Sequence, residues 1–270
     1  MRKQHVFRNM KSQAHMPFLN GRTLMFCSGD GVIERDESRG RRPGDPPRYG
    51  VRRYQPWKLM YCDWKSRRPN RIETGLPADS IECSPSFYEA DGQYFVSFIG
   101  GVFHNDLHYD QLVYHLYLMS GPSLDRLEAP IQFSDRRTNI GFVSPRYVCT
   151  LVRGKLTLTH RESGEQSEVE LPMLSKLLRV TYRADHLDSL IVTGLDEWDL
   201  PMTLLVRLDT RDVSEICADE PVYKCSIYGQ ELVYAKKTGA DFDHRHLAHG
   251  VLSPENLRVR QGQRRLRTAR

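Results

Sequence analysis

Five hairpin-like segments recur along this chain of 270 residues, and they limit what it can fold into. In each segment, an apolar run rich in Val, Ile, Leu, Tyr or Phe is followed by a short turn and a second apolar run. Most of the turns contain Gly, Asn or Asp, which accept the positive φ of tight hairpins. Helical periodicity is weak throughout, so the pattern predicts antiparallel strands. The segments span residues 17–28, 84–98, 144–160, 177–194 and 221–235.

The repetition predicts an all-β fold. Most hairpins are followed by further strand-like runs, so each repeat holds about four strands. A four-stranded unit repeated around a ring is a blade of a β-propeller, an architecture that leaves only short, protected sheet edges. We therefore expect a single propeller of five blades over residues 1–256. A β-sandwich is the alternative.

Two details of the repeats refine this prediction. The Ser84-Pro85 opening of the second repeat recurs at Ser144-Pro145, and the third repeat is one strand short in its pattern. The run HVFRN, residues 5–9, could close the ring as a strand of the last blade.

Two stretches fall outside the blade pattern. Residues 35–54 are rich in Arg, Gly and Pro and are expected to form a long loop between the second and third strands of the first blade. Residues 257–270 form a basic tail with six arginines and no acid. Guanidinium groups suit phosphate or carboxylate partners, so the tail could anchor the chain in an assembly or contact nucleic acid non-specifically. The tail arginines predicted to bind are Arg258, Arg260, Arg264, Arg265 and Arg267.

Composition excludes several classes of protein. The net charge of +5 is mild, so only local clusters of charge can indicate an anionic partner. No run is long and apolar enough for a membrane span, and the first residues lack a secretion signal, so we expect no membrane association and a cytoplasmic or particle-associated protein. The six cysteines are spread singly without a C-x-x-C pair, which favours reduced and mostly buried thiols.

Two phrases resemble a known family. The run SPSFYEADGQYF, residues 84–95, and the run YLMSGPSLDRLEAPIQF, residues 117–133, are similar to those of five-bladed propeller glycoside hydrolases of the arabinanase and β-xylosidase type. Sialidase-like propellers are similar more loosely. The resemblance implies catalytic carboxylates on the innermost strands of the first three blades, with an acid and a base on opposite sides of the sugar.

The expected carboxylates are incomplete. Glu82 occupies the second-blade position, but residues 15–18 of the first blade and 141–145 of the third hold no acid. Asp219 and Glu220 precede the fifth blade as Glu82 precedes the second, so these two residues or Asp30 could have been recruited as a partner. A polar blade corner is the simpler interpretation of each.

Two other clusters are candidate binding sites. Trp198, flanked by Asp196 and Glu197, could bind a sugar by ring stacking and carboxylate hydrogen bonds, or could be an ordinary polar loop. His244, His246 and His249 could bind a divalent cation, although His249 could join only if the chain turns. No other cofactor is predicted.

The missing acids and basic extensions together favour a binding or structural propeller. Such a protein would have protein partners in a larger assembly, for example a phage particle, and could bind carbohydrate. The alternative is a divergent inverting glycoside hydrolase acting on arabinose- or xylose-type sugars.

Overall fold

The computed structural model describes residues 5–6, 13–29, 31–36, 51–66, 68–105, 110–133, 140–152, 155–216, 222–237, 245–252 and 257–259. In these ranges the chain forms only strands, isolated bridges, turns and irregular connections. None of the described segments is a helix that could cross a membrane.

The strands, in chain order, are β1 (His5–Val6), β2 (Gln13–Asn20), β3 (Thr23–Gly29), β4 (Ile33–Asp36), β5 (Val51–Tyr54), β6 (Lys58–Asp63), β7 (Asn70–Arg71), β8 (Ile81–Ala90), β9 (Gln93–Asn105), β10 (Asp110–Gly121), β11 (Ile131–Gln132), β12 (Ile140–Val143), β13 (Tyr147–Val152), β14 (Lys155–His160), β15 (Gln166–Val169), β16 (Lys176–Arg183), β17 (His186–Leu195), β18 (Pro201–Arg207), β19 (Val213–Ile216), β20 (Tyr223–Tyr228), β21 (Glu231–Lys237), β22 (Arg245–Val251) and β23 (Leu257–Val259).

The strands form five antiparallel sheets that are the blades of a propeller, as the sequence predicted. From the inside outward the sheets are β2-β3-β6-β7, β8-β9-β10-β11, β12-β13-β14-β15, β16-β17-β18-β19-β23 and β20-β21-β22-β1. The innermost strands contact one another in the cyclic order β2, β8, β12, β16, β20 and back to β2. The fold is therefore an all-β, five-bladed ring.

The ring is closed by the N-terminal strand. β1 pairs antiparallel with β22, placing His5 opposite His249 and Val6 opposite Ala248. The predicted role of the HVFRN run is thereby confirmed. At the other end of the chain, β23 pairs with β19 as a fifth strand of blade four. This strand lies within the stretch that the sequence assigns to the basic tail.

Apolar packing between neighbouring blades holds the ring together. One buried cluster joins blades one and five and includes Leu24, Phe26 and Val233. A second joins blades four and five through side chains such as Leu205 and Ile227. The largest cluster spans blades one to four. Burial of apolar area at each interface is the main contribution that makes the blades one cooperative unit.

Four aromatic side chains meet where the inner strands approach the axis. Phe18 of blade one lies 5.8 Å from Phe87 of blade two and 5.1 Å from Tyr182 of blade four, measured between ring centroids. Phe142 of blade three lies 5.6 Å from Tyr182. All four are buried. We call Phe18, Phe87, Phe142 and Tyr182 the aromatic plug, because they fill the centre of the ring at this depth.

Every innermost strand carries a register shift, and in blades one to four it lies just before the plug residue. The shifts fall between His15 and Phe18 in β2, Cys83 and Ser86 in β8, Ile140 and Phe142 in β12, Leu177 and Arg179 in β16, and Tyr223 and Ser226 in β20. Three shifted residues have positive φ, namely Met16, Ser84 and Lys224. Such bulges bend a strand and re-aim its side chains.

Blade three corrects two details of the sequence interpretation. Its first strand is β12, which ends at Val143, so the blade has its full set of four strands. Ser144 and Pro145 lie in the turn to β13, where the Ser144 hydroxyl accepts a hydrogen bond of 2.8 Å from the Tyr147 amide. Ser84 and Pro85 lie instead inside β8, at its bulge. The two Ser-Pro pairs are therefore not equivalent, and the prediction of a missing strand was wrong.

The Arg/Gly/Pro-rich insertion lies between β3 and β6, the second and third strands of blade one, as predicted. The ends of the insertion are ordered as an antiparallel ribbon in which β4 pairs with β5. The ribbon packs against blade two, since the Tyr54 and Phe103 rings lie 5.2 Å apart and the Arg35 guanidinium lies 4.5 Å from the Phe103 ring centroid. Residues 37–50 lie outside the described residues.

Candidate functional site

Glu82, the predicted catalytic acid, lies in a sealed polar network between blades one and two. Its side chain is only 1% exposed. One carboxylate oxygen, Oε2, accepts a hydrogen bond of 2.8 Å from the Leu59 amide. The other, Oε1, accepts one of 2.8 Å from the Thr74 hydroxyl and a longer one of 3.4 Å from the Ser80 hydroxyl. The Lys58 ammonium lies 3.3 Å from Oε1. Both carboxylate oxygens thus accept hydrogen bonds from neighbouring groups.

The same network extends along the boundary of the two blades. The Glu82 amide donates to the Trp57 carbonyl oxygen at 2.8 Å, and the Lys58 ammonium donates to the Ser80 carbonyl oxygen at 2.9 Å and to its hydroxyl at 2.7 Å. Both charges are well buried, with side-chain exposures of 13% for Lys58 and 1% for Glu82. A buried ion pair is stable only when its remaining polar atoms are satisfied, which this network achieves. Glu82 therefore links β6 of blade one to β8 of blade two.

No second carboxylate faces Glu82 from the described parts of the innermost strands. The sequences of β2, β12, β16 and β20 contain no acid, and the second acid of β8 is Glu89. Glu89 follows Glu82 by seven positions, which is about 23 Å along an extended strand. Inverting glycosidases place their carboxyl groups roughly 6.5–9.5 Å apart. The other proposed acids, Asp30, Asp219 and Glu220, lie outside the described residues.

The Trp198 loop joins β17 to β18 at the edge of blade four. The Asp196 carboxylate accepts hydrogen bonds of 2.9 Å from the Trp198 and Leu200 amides, so it is used to shape the turn. The Trp198 side chain is 71% exposed, and Glu197 and Leu200 are exposed beside it. An exposed indole next to a carboxylate is compatible with sugar stacking, although Asp196 is already occupied by its own loop.

Of the three histidines of the predicted metal site, only His249 has a described side chain, so the site stays a prediction. β22 pairs with β21 in continuous register from Arg245 to Val251, so the chain makes no turn that would bring His249 toward its predecessors. The His249 ring stacks on Trp64 at 4.3 Å, and its Nε2 is hydrogen bonded to the Glu231 carboxylate. His244 and the side chain of His246 lie outside the described residues. Across the part of the chain that the structure describes, no three His, Cys, Asp or Glu side chains converge on a cation site.

The tail arginines are almost entirely outside the described residues. Arg258 lies in β23, opposite Glu215 of β19, but its side chain is not described. Arg260, Arg264, Arg265 and Arg267 fall after the last described residue. Their binding role stays a prediction.

Sequence analysis missed a cation at the centre of the ring. Arg179 follows the bulge of β16 and is only 5% exposed. Its Nη2 donates to the Pro17 carbonyl oxygen at 3.1 Å, whereas its Nε and Nη1 have no acceptor among the described residues. Burial lowers the pKa of Arg179 to about 10, from 12.5. An arginine inside the otherwise apolar run LLRVTY was the available signal, because arginine is rarely buried without a partner.

Arg179 shares its surroundings with Lys224 and three thiols. Burial raises the pKa of Cys27 well above its usual value and that of Cys83 to about 11, while the positive charges of Arg179 and Lys224 act to lower both. Burial likewise raises the pKa of Cys225 to about 12, against the lowering effect of Arg179. Arg179 of blade four and Lys224 of blade five therefore both act electrostatically on Cys27 and Cys83.

The fold is similar to several solved structures at low sequence identity. TolB from Acinetobacter baumannii aligns with a TM-score of 0.46 and 15% identity over 93% of this chain, which spans 57% of the TolB chain. An α-L-arabinofuranosidase from Lactobacillus brevis aligns with a TM-score of 0.44 and 10% identity over 92% of both chains. A Trypanosoma rangeli sialidase mutant displaying trans-sialidase activity gives a TM-score of 0.42 and 9% identity over 90% of this chain and 55% of its own.

The sequence comparisons identify no family. No family model matches the chain, and no curated protein matches it. At 9–15% identity, the structural similarity concerns the fold alone. Because one fold hosts many functions, function has to be argued from the residues of the site.

Proposed function

We propose that this chain is a non-catalytic binding and structural propeller that works as a subunit of a larger assembly, such as a phage particle. The observation that carries the proposal is the burial and hydrogen bonding of the Glu82 side chain. Its carboxylate is buried and hydrogen bonded to Leu59, Thr74 and Lys58, so it stabilises a blade boundary. A general acid must be able to reach the bond it protonates, and this carboxylate has no open side.

The arginine-rich segments support the anchoring part of the proposal. Residues 257–270 contain six arginines and no acid, and residues 35–54 are rich in Arg as well. Such local clusters attract anionic surfaces more strongly than the mild net charge of +5 suggests. A rigid ring with basic extensions is suited to holding partners together.

Co-sedimentation tests the assembly role. We expect the full chain, isolated from its source, to sediment with a particle much larger than one chain. A form that lacks residues 260–270 should sediment as a single chain while its thermal unfolding is unchanged. A full chain that sediments alone, as a stable monomer without partners, would contradict the proposal.

Carbohydrate is the candidate ligand favoured by the Trp198 loop. The exposed indole and the neighbouring Glu197 could stack on and hydrogen bond to a sugar ring. Titration of neutral oligosaccharides should quench Trp198 fluorescence, and Trp198→Ala should abolish the response. Trp57 and Trp64 provide the internal control, since neither is exposed. If none of the sugars gives saturable quenching, carbohydrate is not the ligand of this loop.

The alternative function is inverting hydrolysis of arabinose- or xylose-type sugars. It requires a carboxylate partner for Glu82, for which Asp30, Asp219 and Glu220 are the candidates. A panel of aryl glycosides, arabinan and xylan should give no product above the buffer rate if the binding proposal is right. Sustained release of sugar that Asp219→Asn or Glu220→Gln abolishes would establish the enzyme instead.

A further inference from the structure

The loop between β17 and β18 is held in one conformation by its own hydrogen bonds. The Asp196 amide donates to the Leu200 carbonyl oxygen at 2.9 Å, and the Asp199 amide donates to the Asp196 carbonyl oxygen at 3.2 Å. The Asp196 carboxylate holds the amides of Trp198 and Leu200. The Ser175 hydroxyl donates to the Asp196 carbonyl oxygen at 2.5 Å, which ties the loop to the start of β16. A loop that is ordered in advance loses less conformational entropy when a ligand binds.

This ordered loop presents the most exposed large apolar side chain of the described residues. The Trp198 side chain is 71% exposed, and Leu200, two residues later, is 59% exposed. The face of an indole is flat and apolar, so it can stack on the C–H face of a sugar ring. The same face carries the negative end of the ring quadrupole and attracts a cation more strongly than the other aromatic side chains do. The indole is therefore suited to a ligand that has both a sugar ring and a positive charge.

The loop is acidic, although the whole chain has a net charge of +5. Glu197 and Asp199, the residues immediately before and after Trp198, are both exposed. Neither forms an ion pair with a Lys or Arg side chain in the part of the chain that the structure describes. Lys176 lies opposite Leu195 at the base of the loop and supplies one positive charge. Two carboxylates next to the indole in sequence therefore remain available to a ligand.

We propose that the Trp198 loop selects amino sugars, whose protonated amine is attracted by the indole face and by the carboxylates of Glu197 and Asp199. The inference rests on the carbohydrate binding proposed for this loop and names the class of sugar. The same carboxylates repel sugars that carry an acid group. Each contact is exposed to water and therefore weak, so the selectivity arises from the combination of ring stacking and charge.

Three oligosaccharides of equal length and different charge provide the test. In mildly acidic buffer, glucosamine oligomers are cationic, N-acetylglucosamine oligomers are neutral and galacturonic acid oligomers are anionic. Each is titrated into the full chain, and quenching of Trp198 fluorescence is measured as the difference from Trp198→Ala. We expect a Kd roughly tenfold lower for the glucosamine oligomer than for the neutral one. The anionic oligomer should give no saturable response.

A double variant and a matched control assign the preference to the two carboxylates. Glu197→Gln combined with Asp199→Asn removes both charges, and asparagine accepts the positive φ of 60° at position 199. This variant should bind both oligomers with the Kd that the parent has for the neutral one. Glu128→Gln combined with Glu170→Gln removes two exposed carboxylates from other blades, so it should keep the preference of the parent.

Salt dependence gives a second readout that needs no variant. Exposed charges are screened by salt, so raising the salt concentration should weaken binding of the glucosamine oligomer and leave that of the neutral oligomer unchanged. A glucosamine Kd that is indifferent to salt, or equal to that of the neutral oligomer, would overturn the inference while carbohydrate remains the ligand. A preference that persists in the Glu197→Gln and Asp199→Asn variant would also overturn it. If none of the three oligomers gives a saturable response, the carbohydrate proposal itself fails, and the inference fails with it.

Discussion

At the scale of single residues, four cysteine thiols are built into the packed interior. Cys27, Cys62, Cys149 and Cys225 are buried free thiols, and burial raises the pKa of each. The thiolate is the reactive form, so these groups should be inert in the native protein. The finding agrees with the sequence prediction of mostly buried cysteines, for the cysteines that the structure describes.

Thiol labelling checks this at pH 8. Cys83, which is half-buried, and Cys217, which lies outside the described residues, are first replaced by Ala. The remaining thiols should not react with Ellman's reagent in the native protein and should react fully in denaturant. Rapid reaction of these thiols in the folded chain would mean that the interior opens far more readily than its packing indicates.

Single residues also show where sequence reasoning stops. The position of Glu82 near the start of an innermost strand was predictable from the repeats. The direction of its carboxylate was not, because Leu59 and Thr74 become its neighbours only when two blades meet. Arg179 was missed for a related reason. The sequence shows only that it is a polar residue within a strand. Its position near the axis of the propeller depends on how the five innermost strands are arranged around the ring.

At the scale of elements, hairpins were the most predictable feature. The turn at Asp91 and Gly92 joins β8 to β9 with both residues at positive φ, as the Asp-Gly pair indicates. Blade three was misread because β13 and β14 alternate like a first hairpin, whereas the true first strand, β12, has only four residues. The bulges were unpredictable, since a one-residue slip leaves no clear composition signal.

The closing strand β1 provides a test at this scale. Val6→Pro removes a backbone donor opposite Ala248 and should weaken the pairing of β1 with β22. Because β22 would then become an exposed edge, we expect a lower Tm and more aggregation on heating. Thermal unfolding with light scattering measures both. Lys3→Pro, placed before the strand, is the matched control, and equal behaviour of the two variants would show that β1 does not close the ring.

At the scale of the whole molecule, buried acids of high pKa set the response to alkali. Burial raises the pKa of Cys62 and Cys225 from 9.0 to about 12, and burial with the hydrogen bond to Asp125 raises that of Tyr61 from 10.0 to about 12. At a pH between the ordinary pKa of each group and its raised pKa, the unfolded chain has released protons that the native chain retains. Native stability therefore falls as pH rises. The lowered pKa of Arg179 has the opposite effect, because the native chain releases this proton before the unfolded chain does. It is one group against several, so native stability still falls.

The free energy of unfolding should therefore decrease steadily from pH 9 to pH 12. Urea titrations at several pH values measure the slope, and Cys62→Ala should make it shallower. Constant or rising stability over this window would mean that these groups are more hydrated than their burial implies.

The central claim is that Glu82 stabilises the propeller and is not a catalyst, and the free energy of unfolding of Glu82→Gln tests it most directly. Replacing the carboxylate leaves Lys58 buried without its ion partner. We expect a loss of about 3–5 kcal/mol, as for other broken buried pairs. Glu89→Gln, an exposed acid on the same strand, should change stability by less than about 0.5 kcal/mol. The account would be contradicted if the parent hydrolysed a glycoside and Glu82→Gln lost that activity while remaining as stable as the parent.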